Sequence, residues 1–441
     1  MVSGFAAIYH LDGRPVDPTL LKRMTAGIAH RGPDGEGHWL DGAVGLGHRM
    51  LRTTPESLEE EQPFAHPSGL RLVLDGRVDN REELRAALGA RDVTIRGDTD
   101  AELVSLAYQC WAEDAPARII GDFAFTIWDE PRQRLFCARD VAGQRPFFFQ
   151  LKGATFRAGS ELTQLFQSEP GGCELNEGMV GEYLADQPTS REETLYRGIR
   201  RLPPAHWLSV EPGGLKKARY WQPDPGKTVR YGADREYAEH FAAIFREAVR
   251  CRLRSHEPVG LLLSGGLDST SVLGIAQSLY RSGAVPNGCF ETFSLAFPGL
   301  PCDESDYIRD AVQMWRVNAT VRPWEEVVST YYTDQARLYR DFPGYPNGAI
   351  ADRLQVLAKE RGCRVLLTGI GGDEWLTGSL YHSTDLVRAC RFMAAWRHLR
   401  ADANLPGSGF VLSRAPMIAL WPLVPSAARR AIKTIVGRKD R

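Results

Sequence analysis

Residues 261–271 read Leu-Leu-Leu-Ser-Gly-Gly-Leu-Asp-Ser-Thr-Ser, an order of residue types that suits the handling of phosphate. A short apolar run enters two glycines, then an aspartate among hydroxyls, then a second apolar run with helical character. Gly265 and Gly266 allow a tight turn that brings backbone N–H groups of residues 264–266 close to an anion. A helix starting there adds the positive end of its dipole, so the loop suits a phosphate or pyrophosphate. Ser264, Ser269 and Thr270 supply further donors, and Asp268 is a hard oxygen ligand for the magnesium that accompanies such a polyanion. The pattern is not a Walker A loop, which requires G-x-x-x-x-G-K-[ST]. The plain structural alternative is a glycine turn between a buried strand and a helix.

The elements around the loop fall into two regions. Residues 1–208 are dense in short strand-like runs separated by glycines: Ala43–Leu46, Leu70–Leu74, Phe123–Trp128, Arg134–Cys137 and Phe147–Gln150. Helical stretches at Pro18–Ile28 and Asp100–Trp111 interrupt them, which predicts stacked antiparallel sheets with helices outside. Residues 209–236, rich in Gly, Pro, Lys and Asp, read as a linker. From 237 to 441 helices alternate with apolar strands. Helix is expected over Tyr237–Arg252, strand over Val259–Leu263, helix over Ser269–Tyr280 and strand over Glu291–Phe297. Helices near 303–315 and 350–361 and the strand Arg364–Thr368 follow. This is the pattern of a parallel sheet wrapped by helices. Ligands bind such sheets at the carboxyl ends of the strands, where Ser264–Ser269 falls.

Bulk properties narrow the classes further. With 441 residues, 43% hydrophobic and 25% charged, the chain is an ordinary globular protein long enough for two domains. A net charge of −1 gives no global attraction to nucleic acid or to a membrane surface. The eight cysteines form no C-x-x-C pair and no zinc spacing. Without a signal peptide they read as reduced thiols of a cytoplasmic protein. The uncharged segment Ala415–Ala428 is short and broken by Pro416, Pro422 and Pro425, so no membrane span is expected.

The loop at 264–270 resembles the pyrophosphate-binding loop of ATP pyrophosphatases, which cleave ATP between its α and β phosphates. Further islands resemble one family, the asparagine synthetases. They are His30-Arg31-Gly32-Pro33-Asp34-Gly35, Gly47-His48-Arg49, Asp98-Thr99-Asp100-Ala101-Glu102, Gly121-Asp122-Phe123-Ala124-Phe125, Ala138-Arg139-Asp140 and Arg201-Leu202-Pro203-Pro204. Later come Thr292-Phe293-Ser294, Asp303-Glu304-Ser305 and Thr368-Gly369-Ile370-Gly371-Gly372-Asp373-Glu374. Singly weak, these islands are specific in their order over residues 1 to about 380. The resemblance implies an α/β protein of two domains. The first would be an N-terminal-nucleophile-hydrolase-like αββα sandwich of the type-2 glutamine amidotransferase kind, the second an ATP-pyrophosphatase-like parallel sheet. It implies ATP and Mg2+, with Asp268 and Asp373 as metal ligands and Asp268, Asp373 and Glu374 in the chemistry. Leu263, Ser264, Gly265, Gly266, Asp268, Ser269, Thr270, Ser294, Thr368 and Gly369 match positions that hold the nucleotide.

Departures from the family carry the functional reading. Glutamine-using members have a cysteine directly after the initiator methionine, whose free α-amine acts as its base. Residue 2 here is Val, and no cysteine precedes Cys110. Ser3 would serve only after loss of both Met1 and Val2. Where the family has an Asn-Gly pair at the oxyanion, this chain has Asp75-Gly76, and a carboxylate there repels developing negative charge. Arg49 and Asp98 match positions that hold glutamine, or remain as an internal ion pair. The first domain is thus expected to be an inactive glutaminase. Ile370 stands where asparagine synthetases have a glutamate facing aspartate, and an isoleucine cannot hydrogen-bond an amino-acid head group. From Arg388 onward eleven Lys and Arg face two acids, and no confident counterpart of the family's adenylate-steadying lysine appears, Lys433 being a poor candidate. The C-terminal part is expected to be short.

A chain that adenylates a carboxylate but makes no ammonia from glutamine needs its amine from elsewhere. A peptide N-terminus suits, because its pKa of roughly 7.7–8.0 leaves a neutral fraction at cellular pH. This combination resembles lasso peptide cyclases, which join a peptide N-terminus to an internal Asp or Glu. The resemblance implies a precursor peptide as substrate, with a leader-binding protein and a leader peptidase as partners. His382, beside Tyr381, is a candidate base for the amine. Ammonia- or glutamine-dependent asparagine synthesis, a β-lactam synthetase-like reaction and a nucleotide-binding pseudoenzyme or scaffold are the other readings.

Overall fold

The computed structural model describes residues 2–167, 172–285, 290–325, 330–341, 348–376, 381–404 and 415–429. Cys289 and Lys433 lie outside them. The chain divides into two bodies, residues 1–368 and 369–441.

Among the described residues the first body opens with two six-stranded sheets. Its strands are β1 (Gly4–His10), β2 (Gly35–Asp41), β3 (Val44–Met50), β4 (Phe64–His66), β5 (Leu70–Gly76) and β6 (Phe123–Asp129). They continue as β7 (Arg134–Arg139), β8 (Phe148–Lys152), β9 (Thr155–Gly159), β10 (Arg200–Arg201), β11 (His206–Glu211) and β12 (Gly214–Arg219). One sheet runs β10-β8-β9-β1-β3-β2 and the other β12-β11-β7-β6-β5-β4. All their pairings are antiparallel.

Side-chain alternation explains the layering. On β1, Phe5, Ala7 and Tyr9 enter the core between the sheets with Val73, Ala124 and Trp128. Ala6 and Ile8 point the other way, into a core with Leu21 and Met24 of α1 (Pro18–Ala26). On β6, Phe123, Phe125 and Ile127 pack outward against Leu84 of α2 (Arg81–Gly89) and Leu103, Val104 and Ala107 of α3 (Asp100–Trp111). Two faces buried on each sheet, with helices outside, give the expected αββα sandwich. Helix α3 begins where Thr99 accepts a hydrogen bond from the N–H of Glu102, a side-chain N-cap. The short helix α4 (Leu162–Phe166) joins the layer outside the first sheet through Leu162 and Leu165, and α5 (Glu177–Leu184) follows it in the chain.

The expected linker 209–236 is corrected in its first part. Strands β11 and β12 pair from His206↔Arg219 to Glu211↔Gly214, so regular structure continues to Arg219. Lys216, Lys217 and Arg219 make β12 a charged edge strand, which composition alone cannot tell from a linker.

Helix α6 (Asp234–Arg252) leads into a parallel sheet of β13 (Val259–Leu262), β14 (Phe290–Ala296), β15 (Asn318–Pro323) and β16 (Val365–Leu367). Its order is β15-β14-β13-β16. Between the strands lie α7 (Leu267–Arg281), α8 (Ser305–Trp315), α9 (Tyr331–Tyr339) and α10 (Gly348–Glu360). Val259 and Leu261 face Leu273 and Ala276 of α7 and Ile308 of α8. Phe293 and Leu262 face Leu354 and Ala358 of α10. A Cβ on Gly260 would stand 2.9 Å from the Phe293 ring and 2.7 Å from Leu366, so glycine makes room for the phenylalanine.

The second body is helical: α11 (Gly372–Leu376), α12 (His382–Arg388), α13 (Phe392–Asn404) and α14 (Ala415–Ala419). Leu399, Ala415 and Ala419 form its small core with Val387. Thr384 of α12 donates to the Ile418 carbonyl at 2.8 Å. No helix among the described residues is long and apolar enough to cross a membrane.

Candidate active site

From β13 the chain moves outward through β14 to β15, then returns to the other side of β13 as β16. The carboxyl end of β13 is therefore the switch point of the sheet, where open parallel sheets bind ligands. The loop from Leu263 to Gly266 sits there and runs into α7.

Hydrogen bonds fix the loop from beneath. Leu263 N–H donates to the Phe293 carbonyl at 2.9 Å. The Ser294 hydroxyl donates to the Leu263 carbonyl at 2.7 Å. Ser264 N–H reaches the Ser269 oxygen at 3.2 Å, and the two hydroxyls lie 3.1 Å apart. Thr270 Oγ1 donates to the Gly266 carbonyl at 2.8 Å, closing the first turn of α7. Gly265 has φ +84°, the left-handed region that glycine enters without strain. A Cβ there would lie 3.1 Å from Tyr307 Cβ and 3.2 Å from the Glu304 carbonyl. A side chain would fill the concave turn, so the residues present fit an anion cradled by backbone. Asp268 stands in the first turn of α7.

A cavity of about 200 Å3 opens beside the loop. Its wall is largely apolar, with Leu263, Phe293, Leu295, Phe297 and Leu354, and Ser264 and Glu304 among its polar lining residues. An apolar slot next to a phosphate turn is the arrangement a nucleotide base and its phosphates require. Asp303 holds this rim: its Oδ1 accepts from Phe297 N–H at 3.0 Å and from the Ser305 hydroxyl at 2.6 Å.

Thr368 follows β16, whose Leu367 pairs with Leu261 of β13, so Leu263, Ser264–Gly266, Ser269, Thr270, Ser294 and Thr368 gather at one sheet end. Gly369, Asp373, Glu374 and His382 belong to the second body. There Gly372 N–H donates to the Gly369 carbonyl at 3.2 Å. Asp373 and Glu374 occupy the first turn of α11. Ile370 is 84% exposed. His382 begins α12, its ring edge-on to His398 with centroids 4.9 Å apart.

In the sandwich, Asp75 is buried to 1% exposure and paired with Arg31 at 2.8 Å. Arg145 lies 3.9 Å from its other oxygen, which has no hydrogen-bond partner. Burial pushes the Asp75 carboxyl above its ordinary range, against the pull of Arg145 and Arg31. Arg31 also meets Glu161 at 3.2 Å and donates to the Ser3 carbonyl at 2.9 Å. Glu161 in turn meets His30 at 3.0 Å, and the His30 ring meets Tyr339 of α9. Ions thus surround Asp75, which stands where the sequence departs from the family's Asn-Gly pair. The Ser3 hydroxyl bonds Leu51, accepting from its N–H at 2.9 Å.

The expected internal pair of Arg49 with Asp98 is a correction. Arg49 pairs with Glu36 at 2.6 Å, and Asp98 pairs with Arg81 at 2.7 Å and with Arg85. The two residues sit on separate elements, and each takes a nearer partner. Gly76 is required by packing, since a Cβ would lie 2.4 Å from the Asp122 carbonyl. The ion network around Arg31, Arg145 and Glu161 escaped sequence reasoning. Arg31 stood in a recognised island, but its partners lie 44 and 130 residues away.

With this geometry in place, comparison with known proteins is direct. A glutamine amidotransferase domain model matches residues 2–221, and an asparagine synthase model matches residues 240–431. The chain belongs to the asparagine synthetase family. It is 31% identical over 282 residues to glutamine-hydrolyzing asparagine synthetase 3 of Bacillus subtilis strain 168, covering 63% of this chain and 45% of that protein. Asparagine synthetase 1 of the same organism is 27% identical over 371 residues, covering 81% and 55%. Amidase chry2 of Gibberella zeae is 28% identical over 376 residues, covering 80% and 54%. The chain spans about half the length of these relatives.

Proposed function

We propose that this protein is an ATP-dependent amide ligase that adenylates a carboxylate and releases pyrophosphate, and that its product is a peptide macrolactam. The observation that carries the ligase reading is the Gly265 turn at the switch point, with its apolar slot alongside.

On this reading the substrate carboxylate attacks the α-phosphorus of ATP, and the bond to the β-phosphate bridging oxygen breaks. Backbone N–H groups of the loop and the amino end of α7 stabilise the departing pyrophosphate. Asp268, in the first turn of α7, would hold magnesium, which would supply neutralisation of charge on that leaving group. The amine then attacks the acyl-adenylate carbon, AMP leaves and an amide forms. Holding amine and acyl group in one peptide makes this step intramolecular. The ions around Asp75 support an amine not drawn from glutamine. The isoleucine at 370 supports an acceptor other than free aspartate. The partners on this reading are a leader-binding protein and a leader peptidase, and the setting is cytoplasmic.

Asparagine synthesis, from ammonia or from glutamine, is the second reading, and a specific finding favours it: the bacterial relatives are named glutamine-hydrolyzing asparagine synthetases. Offering a precursor peptide whose Asp and Glu carboxylates carry 18O separates the two. Macrolactam formation transfers one labelled oxygen to AMP and removes one water from the peptide mass. Labelled AMP from free aspartate plus ammonia, with none from peptide, would replace cyclisation by asparagine synthesis.

A further inference from the structure

Strand β16 is a short edge strand of the parallel sheet. It has three residues, half-buried, and it pairs with β13 alone among the described strands. Yet it delivers Thr368 to the switch point. The residue before it, Arg364, reaches out of the ligase half into the sandwich. Its guanidinium grips Asp34 with two nitrogens, one directed at Oδ2 and the other 3.1 Å from Oδ1. The same arm donates to the Arg52 carbonyl at 3.1 Å.

Asp34 is itself immobilised. Its Oδ2 accepts from Arg52 N–H at 2.8 Å, and its N–H donates to the Met50 carbonyl at 2.9 Å. It directly precedes β2, so the start of one strand is bolted to the start of the other. A two-pronged arginine–carboxylate pair fixes direction as well as distance. His256, three residues before β13, is tied to the same segment. Its N–H donates to the Thr53 carbonyl at 3.1 Å, and its ring meets the Arg52 carbonyl at 3.0 Å. Both neighbouring strands of the switch point are therefore anchored, at their entrances, to residues 34 and 52–53.

We propose that Asp34 is a positioning residue for the nucleotide site, acting through Arg364 and β16, and that the sandwich is retained as the mount of the ligase sheet. This inference rests on the ATP reading of the site. A second junction contact serves as its control: Arg252, at the end of α6, grips Asp122 and lies 3.0 Å from Asp79. That contact joins the same halves at a different element.

The test is titration of magnesium-ATP into the whole chain, with thermal unfolding measured alongside, for the parent, Asp34→Asn, Arg364→Lys and Asp122→Asn. Asp34→Asn is expected to weaken ATP binding about fivefold or more, in line with a lost charge-assisted bond. Arg364→Lys, which keeps the cation without the fork, falls between it and the parent. Asp122→Asn lowers the unfolding temperature yet leaves ATP binding within about twofold, since it adjoins no strand of the parallel sheet. Equal ATP binding by Asp34→Asn, Arg364→Lys and the parent would overturn the inference while leaving the ATP reading intact. A parent that binds no ATP would overturn both. Should Asp34→Asn not fold, Arg364→Lys against Asp122→Asn decides alone.

Discussion

Asp75 is a buried carboxylate where the family resemblance places an amide. A neutral amide can donate to an oxyanion; a carboxylate cannot, and here it instead binds Arg31 while Arg145 lies close by. Removing it takes a buried partner from Arg31, which keeps Glu161, and the nearby carboxylate from Arg145. Asp75→Ala is expected to cost about 3 kcal/mol, because breaking a buried pair leaves an uncompensated charge. Urea unfolding reads that loss, and a change below about 0.5 kcal/mol would mean that Glu161 alone suffices for Arg31. Part of this was legible from residue types: the aspartate at 75 and the isoleucine at 370 stand out within otherwise matching motifs. Which ions surround Asp75 was not, because pairing partners 44 and 130 residues from Arg31 are set by the fold.

At the scale of elements, the turn between β13 and α7 was readable because its residues obey local rules. An apolar strand, a glycine that must take positive φ and hydroxyls that close a helix turn depend on neighbours in sequence. Helix α3 matched its expected bounds for the same reason, with Thr99 capping it. Strands β11 and β12 were hidden in what read as a linker, since a charged edge strand buries little. Helix α9 had no clear signal either, with tyrosines and charges on every side and none of its residues fully buried. The turn yields its own prediction. Gly265→Ala forces a side chain into φ +84° and toward Tyr307 and the Glu304 carbonyl. Strain of this kind costs about 1–3 kcal/mol, and relief by moving the loop misaligns its N–H groups. ATP binding should fall at least tenfold while the sandwich unfolds normally. Unchanged ATP affinity in Gly265→Ala would show that the turn does not cradle phosphate.

For the molecule as a whole, the two halves of the first body meet through charges, so its stability depends on pH. Asp34 and Asp122 are both partly desolvated, but bonds from Arg364 and Arg52 in one case and from Arg252 in the other hold them below the ordinary carboxylate range. A depressed carboxylate contributes stability above its unfolded pKa and loses it as pH falls through the folded one. The junction therefore weakens below about pH 4. Glu60 acts in the opposite sense. Burial, and then the neighbouring Asp100, raise its carboxyl to about 7. The folded state thus holds a proton that the unfolded state releases near 4.5, and stability falls as pH rises between those values. The size is on the order of 3 kcal/mol. Glu60→Gln should flatten the slope of unfolding free energy between pH 5 and 7; an unaltered slope would place its origin elsewhere. The central claim, that the turn at 264–270 holds the pyrophosphate leaving ATP during carboxylate activation, is tested most directly by exchange of labelled pyrophosphate into ATP. With a precursor peptide present, the parent should exchange label and Asp268→Ala should lose on the order of a hundredfold. Equal exchange by the two proteins, or none by the parent with any carboxylate offered, would contradict it.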